Sequence, residues 1–155
     1  MWIFKEDLKK WLEAEDKVLS VLSQDFNLIK NPNDRWIDLL LISWWIEVKL
    51  DEYAQYSWNL YVEFECNNKP SWLFKDEEYE LKYWAHTDGI RVYLLIAEDF
   101  KKFVSERISS CRDNKSNTSK WFRVVEQWWN WGRSKGLLIP IKEMEQIAYK
   151  IYEYK

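Results

Sequence analysis

The sequence predicts an α+β fold: a central mixed β-sheet flanked by helices. Three observations carry this expectation. Segments with helical apolar spacing alternate with short runs rich in β-branched and aromatic residues. Those runs are almost continuously apolar, as expected of strands covered on both faces. The 155 residues include only three Gly and three Pro, which disfavours a loop-rich or repeat architecture. Hydrophobic residues make up 47% and charged residues 32%, a globular balance, and the length fits one domain with a real core.

The elements follow in order. Leu8, Trp11, Leu12, Val18, Leu19 and Leu22 recur at helical spacing, so the chain opens with a helix. Leu8, Leu12, Glu15, Leu19 and Leu22 share one face of it, which puts a carboxylate in an apolar stripe. Asn31-Pro32-Asn33-Asp34 is a turn cluster. Residues 36–42 and 45–50 read as two strands joined by a tight turn near Ser43-Trp44, and Leu60 to Glu65 as a third. Asn67-Asn68-Lys69-Pro70 is a turn, and Lys75 to Leu81 a short helix. Tyr83–Thr87 and Ile90–Ile96 are strands around an Asp88-Gly89 hairpin turn. A helix is expected from Glu98 to Ile108 and a polar loop from Arg112 to Ser119. A Trp-rich helix from Lys120 to about Trp131 should follow, broken by Gly136. Leu137-Leu138-Ile139 then reads as a short strand, and Ile141 to Tyr152 as a closing helix. The whole is expected as one domain over residues 1–155, with a core at about 5–110 and a basic, Trp-rich C-terminal extension at about 112–155.

No apolar run is long enough to cross a bilayer, and the opening residues turn charged too soon for a secretory signal. Cys66 and Cys111 are too few and too isolated for a disulfide framework or a zinc site. A reducing, cytoplasmic compartment is therefore expected. The net charge of −3 conceals a segregation. Residues 1–100 carry eleven basic against twenty acidic side chains (−9), and Lys101–Gly136 nine against three (+6). The tail is balanced at three each, so −9 + 6 + 0 returns −3. An asymmetry of this kind points to a polyanionic partner.

Two carboxylates and a lysine, Asp38, Glu47 and Lys49, are embedded in the most apolar part of the chain. Burying a charge costs free energy unless it is paired or holds a metal. A hairpin can bring Asp38 and Glu47 together, with the Val48 carbonyl as a further oxygen ligand, and such donors suit Mg²⁺ or Mn²⁺. Lys49 lies on the strand face of Glu47, one pleat on, where its ammonium can reach an attacking water or a phosphate. Glu15 could complete the shell. The bland reading is an ordinary same-face ion pair on a strand.

These residues resemble the PD-(D/E)xK nuclease superfamily: a helix glutamate (Glu15), an Asp opening a strand (Asp38), then Glu47-Val48-Lys49 on the next strand. Asn59-Leu60-Tyr61-Val62-Glu63 followed by Lys69-Pro70-Ser71 is similar to a compact phage and viral branch. Ile37 stands where Pro is common there, and Trp72 where relatives usually carry Gly. The resemblance implies a restriction-endonuclease-like core, metal ligation by Glu15, Asp38 and Glu47, and catalysis by Lys49. It also implies a phage or viral protein acting in its host cell.

The basic stretch supplies a second clue. Lys115, Lys120, Arg123, Arg133 and Lys135 surround Trp121, Trp128, Trp129 and Trp131. Cations track phosphates, and exposed indoles such as Trp128 can stack on unpaired bases. The expectation is thus a Mg²⁺-dependent deoxyribonuclease, structure- or end-selective and not sequence-specific, with a homodimer as the form that would cut two strands. The alternatives are a non-catalytic nucleic-acid-binding protein of nuclease-like fold and a protein-interaction module that uses its Trp surface.

Overall fold

The computed structural model describes residues 2–30, 39–41, 44–75, 81–113, 122–129 and 132–154. In chain order the elements are α1 (Trp2–Leu22), β1 (Ile29–Lys30), β2 (Leu39–Leu41), β3 (Trp44–Leu50), α2 (Ala54–Ser57) and β4 (Asn59–Cys66). Then come β5 (Lys69–Pro70), a 3-10 turn (Trp72–Phe74), β6 (Leu81–Thr87), β7 (Arg91–Ile96) and α3 (Ala97–Asp113). The chain closes with β8 (Arg123–Trp129), β9 (Gly132–Pro140), α4 (Ile141–Ile147) and β10 (Lys150–Glu153).

The α+β class is as predicted, but the strands form two sheets where a single central one was expected. One is six-stranded, in the order β1-β2-β3-β6-β7-β10, and the other four-stranded, β5-β4-β9-β8. The larger sheet is mixed: β3 pairs parallel with β6, and its other pairings are antiparallel. β3 sits between β2 and β6, which accounts for its apolar run, since a central strand meets packing on both faces. On one face, Ile46, Val48, Ala85 and Leu94 form a core with Val18, Val21 and Leu22 of α1. On the other, Trp84, Tyr93 and Leu95 join Phe100 and Val104 of α3, Leu60 and Val62 of β4, and Leu137 and Ile139 of β9. The smaller sheet therefore shares its core with the larger one.

Several expectations need correction. Residues 123–129 are a strand, not a helix. Val124, Val125 and two Trp favour a pleated surface, and β9 offers them a full antiparallel partner. Gly136 does not break an element but lies inside β9, opposite Glu63. A Cβ there would sit 2.2 Å from the Tyr61 ring, so glycine admits the ring against the strand. The closing helix stops at Ile147, where Ala148 turns extended (ψ 132°). Lys150–Glu153 then pairs with the edge of β7, a strand role suited to Ile151 and Tyr152. The segment read as a C-terminal extension thus supplies strands to both sheets.

Among the described side chains of α1, Ala14, Val18, Val21 and Leu22 are buried, while Leu8, Trp11 and Leu12 are exposed. The core-facing stripe is rotated from the expected one, and Glu15 lies at its half-buried margin. The Asp88-Gly89 turn forms as read: Asp88 Oδ1 accepts the backbone N–H groups of Ile90 and Arg91, and Gly89 takes φ +88°. The first two residues of the expected 112–119 loop, Arg112 and Asp113, still belong to α3. The Asn31–Asp34 turn, Ser43 and positions 76–80 of the expected Lys75–Leu81 helix lie outside the described residues; the last position, Leu81, opens β6.

Candidate active site

In the parallel ladder, Glu47 lies beside Trp84 and Lys49 beside His86. Alternation along the strands puts these four side chains on one face and Ile46, Val48 and Ala85 on the other. The Ile46 face packs on Val18, Val21 and Leu22 of α1, and Glu47 and Lys49 lie on the face that carries Trp84. Lys49 is one residue from the end of β3, where the earlier turns of α1 come near, as the Lys10–Glu52 ion pair shows. The pairing of β3 with β6, remote in sequence, assembles the site.

Glu47 is 2% exposed and the Lys49 side chain 17%. Lys49 Nζ donates to Glu47 Oε1, forming an ion pair between adjacent same-face residues. The ammonium also lies 5.4 Å from the centre of the Trp11 ring and 5.8 Å from that of Trp84. Each ring face attracts a cation by about 0.5–2 kcal/mol, depending on desolvation. Trp11 reaches the ammonium from α1, and Trp84 from the neighbouring strand. Lys49 is thereby held against Glu47 by one carboxylate and two indoles.

His86 is buried at 1% exposure. Its Nδ1 accepts the Trp84 indole N–H at 3.4 Å, so the neutral ring carries its proton on Nε2. That Nε2 has no hydrogen-bond partner among the described residues. Burial, reinforced by the positive charge of Lys49, pushes the His86 pKa down to about 3. The imidazole is therefore neutral at ordinary pH, and Lys49 has no second cation beside it from that position.

The other proposed ligands are placed differently. Glu15 forms an ion pair with Lys30 at 3.3 Å, and Asp16 joins the same ammonium at 2.9 Å, tying α1 to β1. Burial pulls the Lys30 pKa down, but hydrogen bonds to Asp16 and Glu15 outweigh it and leave the pKa raised. Asp38 lies outside the described residues. Val48 is buried in the centre of β3, its side chain toward α1. Among the described residues, no three His, Cys, Asp or Glu side chains gather as a metal-holding group. The donor that fits a hard cation is the buried Glu47 carboxylate, shared with Lys49.

Neighbouring polar residues have structural partners. Asp51 Oδ2 accepts the Tyr61 N–H at 2.8 Å, joining the end of β3 to β4, and burial raises the Asp51 pKa. Glu63 accepts hydrogen bonds from the buried hydroxyls of Ser71 and Ser134, the latter at 2.5 Å. Asn59 Nδ2 donates to the Ser57 carbonyl at 2.6 Å.

The basic segment is partly self-neutralised. Arg133 Nη2 meets Glu126 at 2.5 Å, and Lys135 Nζ meets Glu65 at 2.5 Å, both across neighbouring strands. Hydrogen bonding to Arg133 lowers the Glu126 pKa and raises that of Arg133. Trp128 is 75% exposed, with the Arg133 guanidinium 5.8 Å from its ring centre. Arg123 is exposed, and among the described residues it is in no ion pair. Lys115 and Lys120 lie outside the described residues.

Trp11, Trp84 and His86 are the site residues that sequence reasoning missed. Their local patterns resemble core residues, and only strand pairing and helix placement bring them to Lys49. No protein-family model, curated protein or solved structure matches the chain. Among the described residues, no helix is long and apolar enough to cross a membrane.

Proposed function

We propose that the protein is a metal-dependent nuclease with a restriction-endonuclease-like core, hydrolysing DNA phosphodiester bonds at the Glu47–Lys49 pair. One observation carries the reading: a carboxylate and an ammonium are shut together inside the sheet, with the ammonium enclosed by two indoles. A buried pair of this kind gives little net stability, because desolvation cancels most of the attraction. Its presence is better explained by chemistry. Glu47, with Asp38, would hold Mg²⁺ or Mn²⁺, while Glu15 stays paired with Lys30. Such a cation, when bound, supplies Lewis acidity to the phosphodiester and to the attacking water. Lys49 stands next to that carboxylate, where its charge offsets the negative charge that develops on phosphorus and its N–H groups can orient the water. Trp11 and Trp84 restrict where the ammonium points. The neutral imidazole of His86 leaves the local positive charge to Lys49.

A second reading has its own support. The Glu47 carboxylate is already neutralised by Lys49, as in a structural brace, and the chain would then be a non-catalytic nucleic-acid-binding protein. The test is incubation with supercoiled, linear, single-stranded and branched DNA plus Mg²⁺ or Mn²⁺, comparing wild type with Lys49→Met. The nuclease reading expects cleavage by wild type and at least a hundredfold loss in the variant. Absence of metal-dependent cleavage with intact DNA binding establishes the second reading. Sedimentation of the same samples reports whether two copies act together.

A further inference from the structure

Immediately after β3 the chain exposes three large aromatic side chains within six residues. Tyr53 is 72% exposed, Tyr56 78% and Trp58 70%. The Tyr53 and Tyr56 rings lie 6.4 Å apart, tilted at 43°. Three large aromatics so close along the chain, all exposed and two of them with neighbouring rings, are unusual on a surface. Trp58 is also held in the left-handed region, at φ +58° and ψ +21°, an uncommon conformation for a bulky residue. Its N–H donates to the Ala54 carbonyl at 2.9 Å, and its own carbonyl accepts the Ile141 N–H at 3.0 Å. The backbone thus pins the indole facing outward at some conformational cost.

Trp58 forms one wall of a cleft of about 530 Å³, whose charged lining is Arg91, Arg123, Lys142 and Glu145. Arg91 is neutralised by Glu145 at 2.7 Å. Among the described residues, Arg123 and Lys142 are in no ion pair, so the cleft carries two uncompensated positive charges beside an exposed indole. Aromatic faces next to unpaired cations suit a ligand with both π-faces and phosphates. A duplex hides its base faces in its own stack, whereas an unpaired strand presents them.

We infer that Tyr53, Tyr56 and Trp58 form a stacking platform for the bases of a single-stranded nucleic acid, whose phosphates run into the Arg123–Lys142 cleft. The platform begins four residues after Lys49, a chain distance of at most about 14 Å. The inference deepens the nuclease reading, and rests on it only for the location of the scissile bond. It assigns the enzyme to unpaired or flapped strands, with the bases gripped beside the site of cleavage.

The test separates grip from cleavage. A fluorescein-labelled oligothymidylate and a matching duplex are titrated by fluorescence anisotropy with EDTA present, at low and at physiological salt. The single strand should bind more tightly than the duplex, and binding should weaken with salt. Tyr56→Ala and Trp58→Gly should each weaken single-strand binding by about tenfold. The Gly replacement relieves the left-handed backbone, so it should melt no lower than wild type. Charge reversal of Arg123 and Lys142 together should flatten the salt dependence by about two counterions. Equal binding of duplex and single strand, aromatic variants that bind like wild type, or no binding even at low salt would overturn the platform. Dimerisation abolished by Trp58→Gly, with nucleic-acid binding untouched, would overturn it in favour of a protein interface. Binding without metal-dependent cleavage refutes the nuclease reading and leaves the platform standing. Cleavage unaffected by the aromatic variants does the reverse.

Discussion

The lysine– and arginine–glutamate pairs of the two sheets differ in what surrounds them. On β3, Glu47 and Lys49 are side by side on one strand, enclosed by Trp11, Trp84 and His86. In the four-stranded sheet, Lys135–Glu65 and Arg133–Glu126 bridge neighbouring strands with about a quarter to a third of each side chain in solvent. Solvent-accessible pairs of the second kind contribute little and tolerate loss of either partner. In the buried pair, removing one partner leaves a charge in the sheet interior, at a cost of about 3–5 kcal/mol. Identical residue types therefore mean different things: the pairs on β9 are surface electrostatics, whereas the pair on β3 is a commitment the fold is built around. The same contrast separates paired cations from two that, among the described residues, are in no ion pair. Arg133 and Lys135 are already spoken for by carboxylates, while Arg123 and Lys142 flank an exposed indole.

The contrast can be broken most severely at β3. Lys49→Ala should lower unfolding free energy by about 3–5 kcal/mol in chemical denaturation, and should also abolish cleavage. The double variant Glu47→Gln/Lys49→Met removes both charges at similar volume. It should recover most of that stability while remaining inactive, which separates the chemical role from the structural one. Next in size is Gly136→Ala, whose Cβ would collide with the Tyr61 ring. A loss of about 1–3 kcal/mol is expected, read as a lowered melting temperature.

Per unit of pH, a smaller effect comes from His86. In the unfolded chain His86 takes up a proton as pH falls below about 6.5, whereas in the folded protein it stays neutral down to about 3. Between those values the unfolded state binds more protons, so stability from this group is complete above pH 6.5 and declines as pH falls. The slope is at most about 1.4 kcal/mol per pH unit. Subtracting the profile of His86→Gln from that of wild type isolates it from the carboxylates; equal profiles would contradict the burial. The smallest effect is expected in the other sheet, where Lys135→Ala should change stability by no more than about 1 kcal/mol.

Much of this was legible in the sequence, for identifiable reasons. α1, β3, β4, the β6–β7 hairpin and α3 announce themselves by periodicity and turn chemistry, which are local signals. The Glu47–Lys49 adjacency was legible because alternation along a strand is local too. The failures are non-local. Residues 123–129 read as a helix until β9 supplied a partner, and Lys150–Glu153 until the edge of β7 did. Gly136 read as a breaker because the Tyr61 ring that fills its place comes from a strand some seventy positions earlier. His86 and Trp84 looked like ordinary strand residues because parallel pairing with β3 leaves no trace in local spacing.

The central claim is that the Glu47 carboxylate serves a divalent cation. Titration of the protein with Mn²⁺, followed by loss of the free-ion electron paramagnetic resonance signal, tests this without depending on the choice of DNA substrate. Wild type should remove Mn²⁺ from solution at a saturable site, and the folded Glu47→Gln/Lys49→Met protein should leave the free signal unchanged. Equal uptake by the two proteins, or no uptake by wild type, would contradict the account and leave the pair on β3 as a structural brace alone.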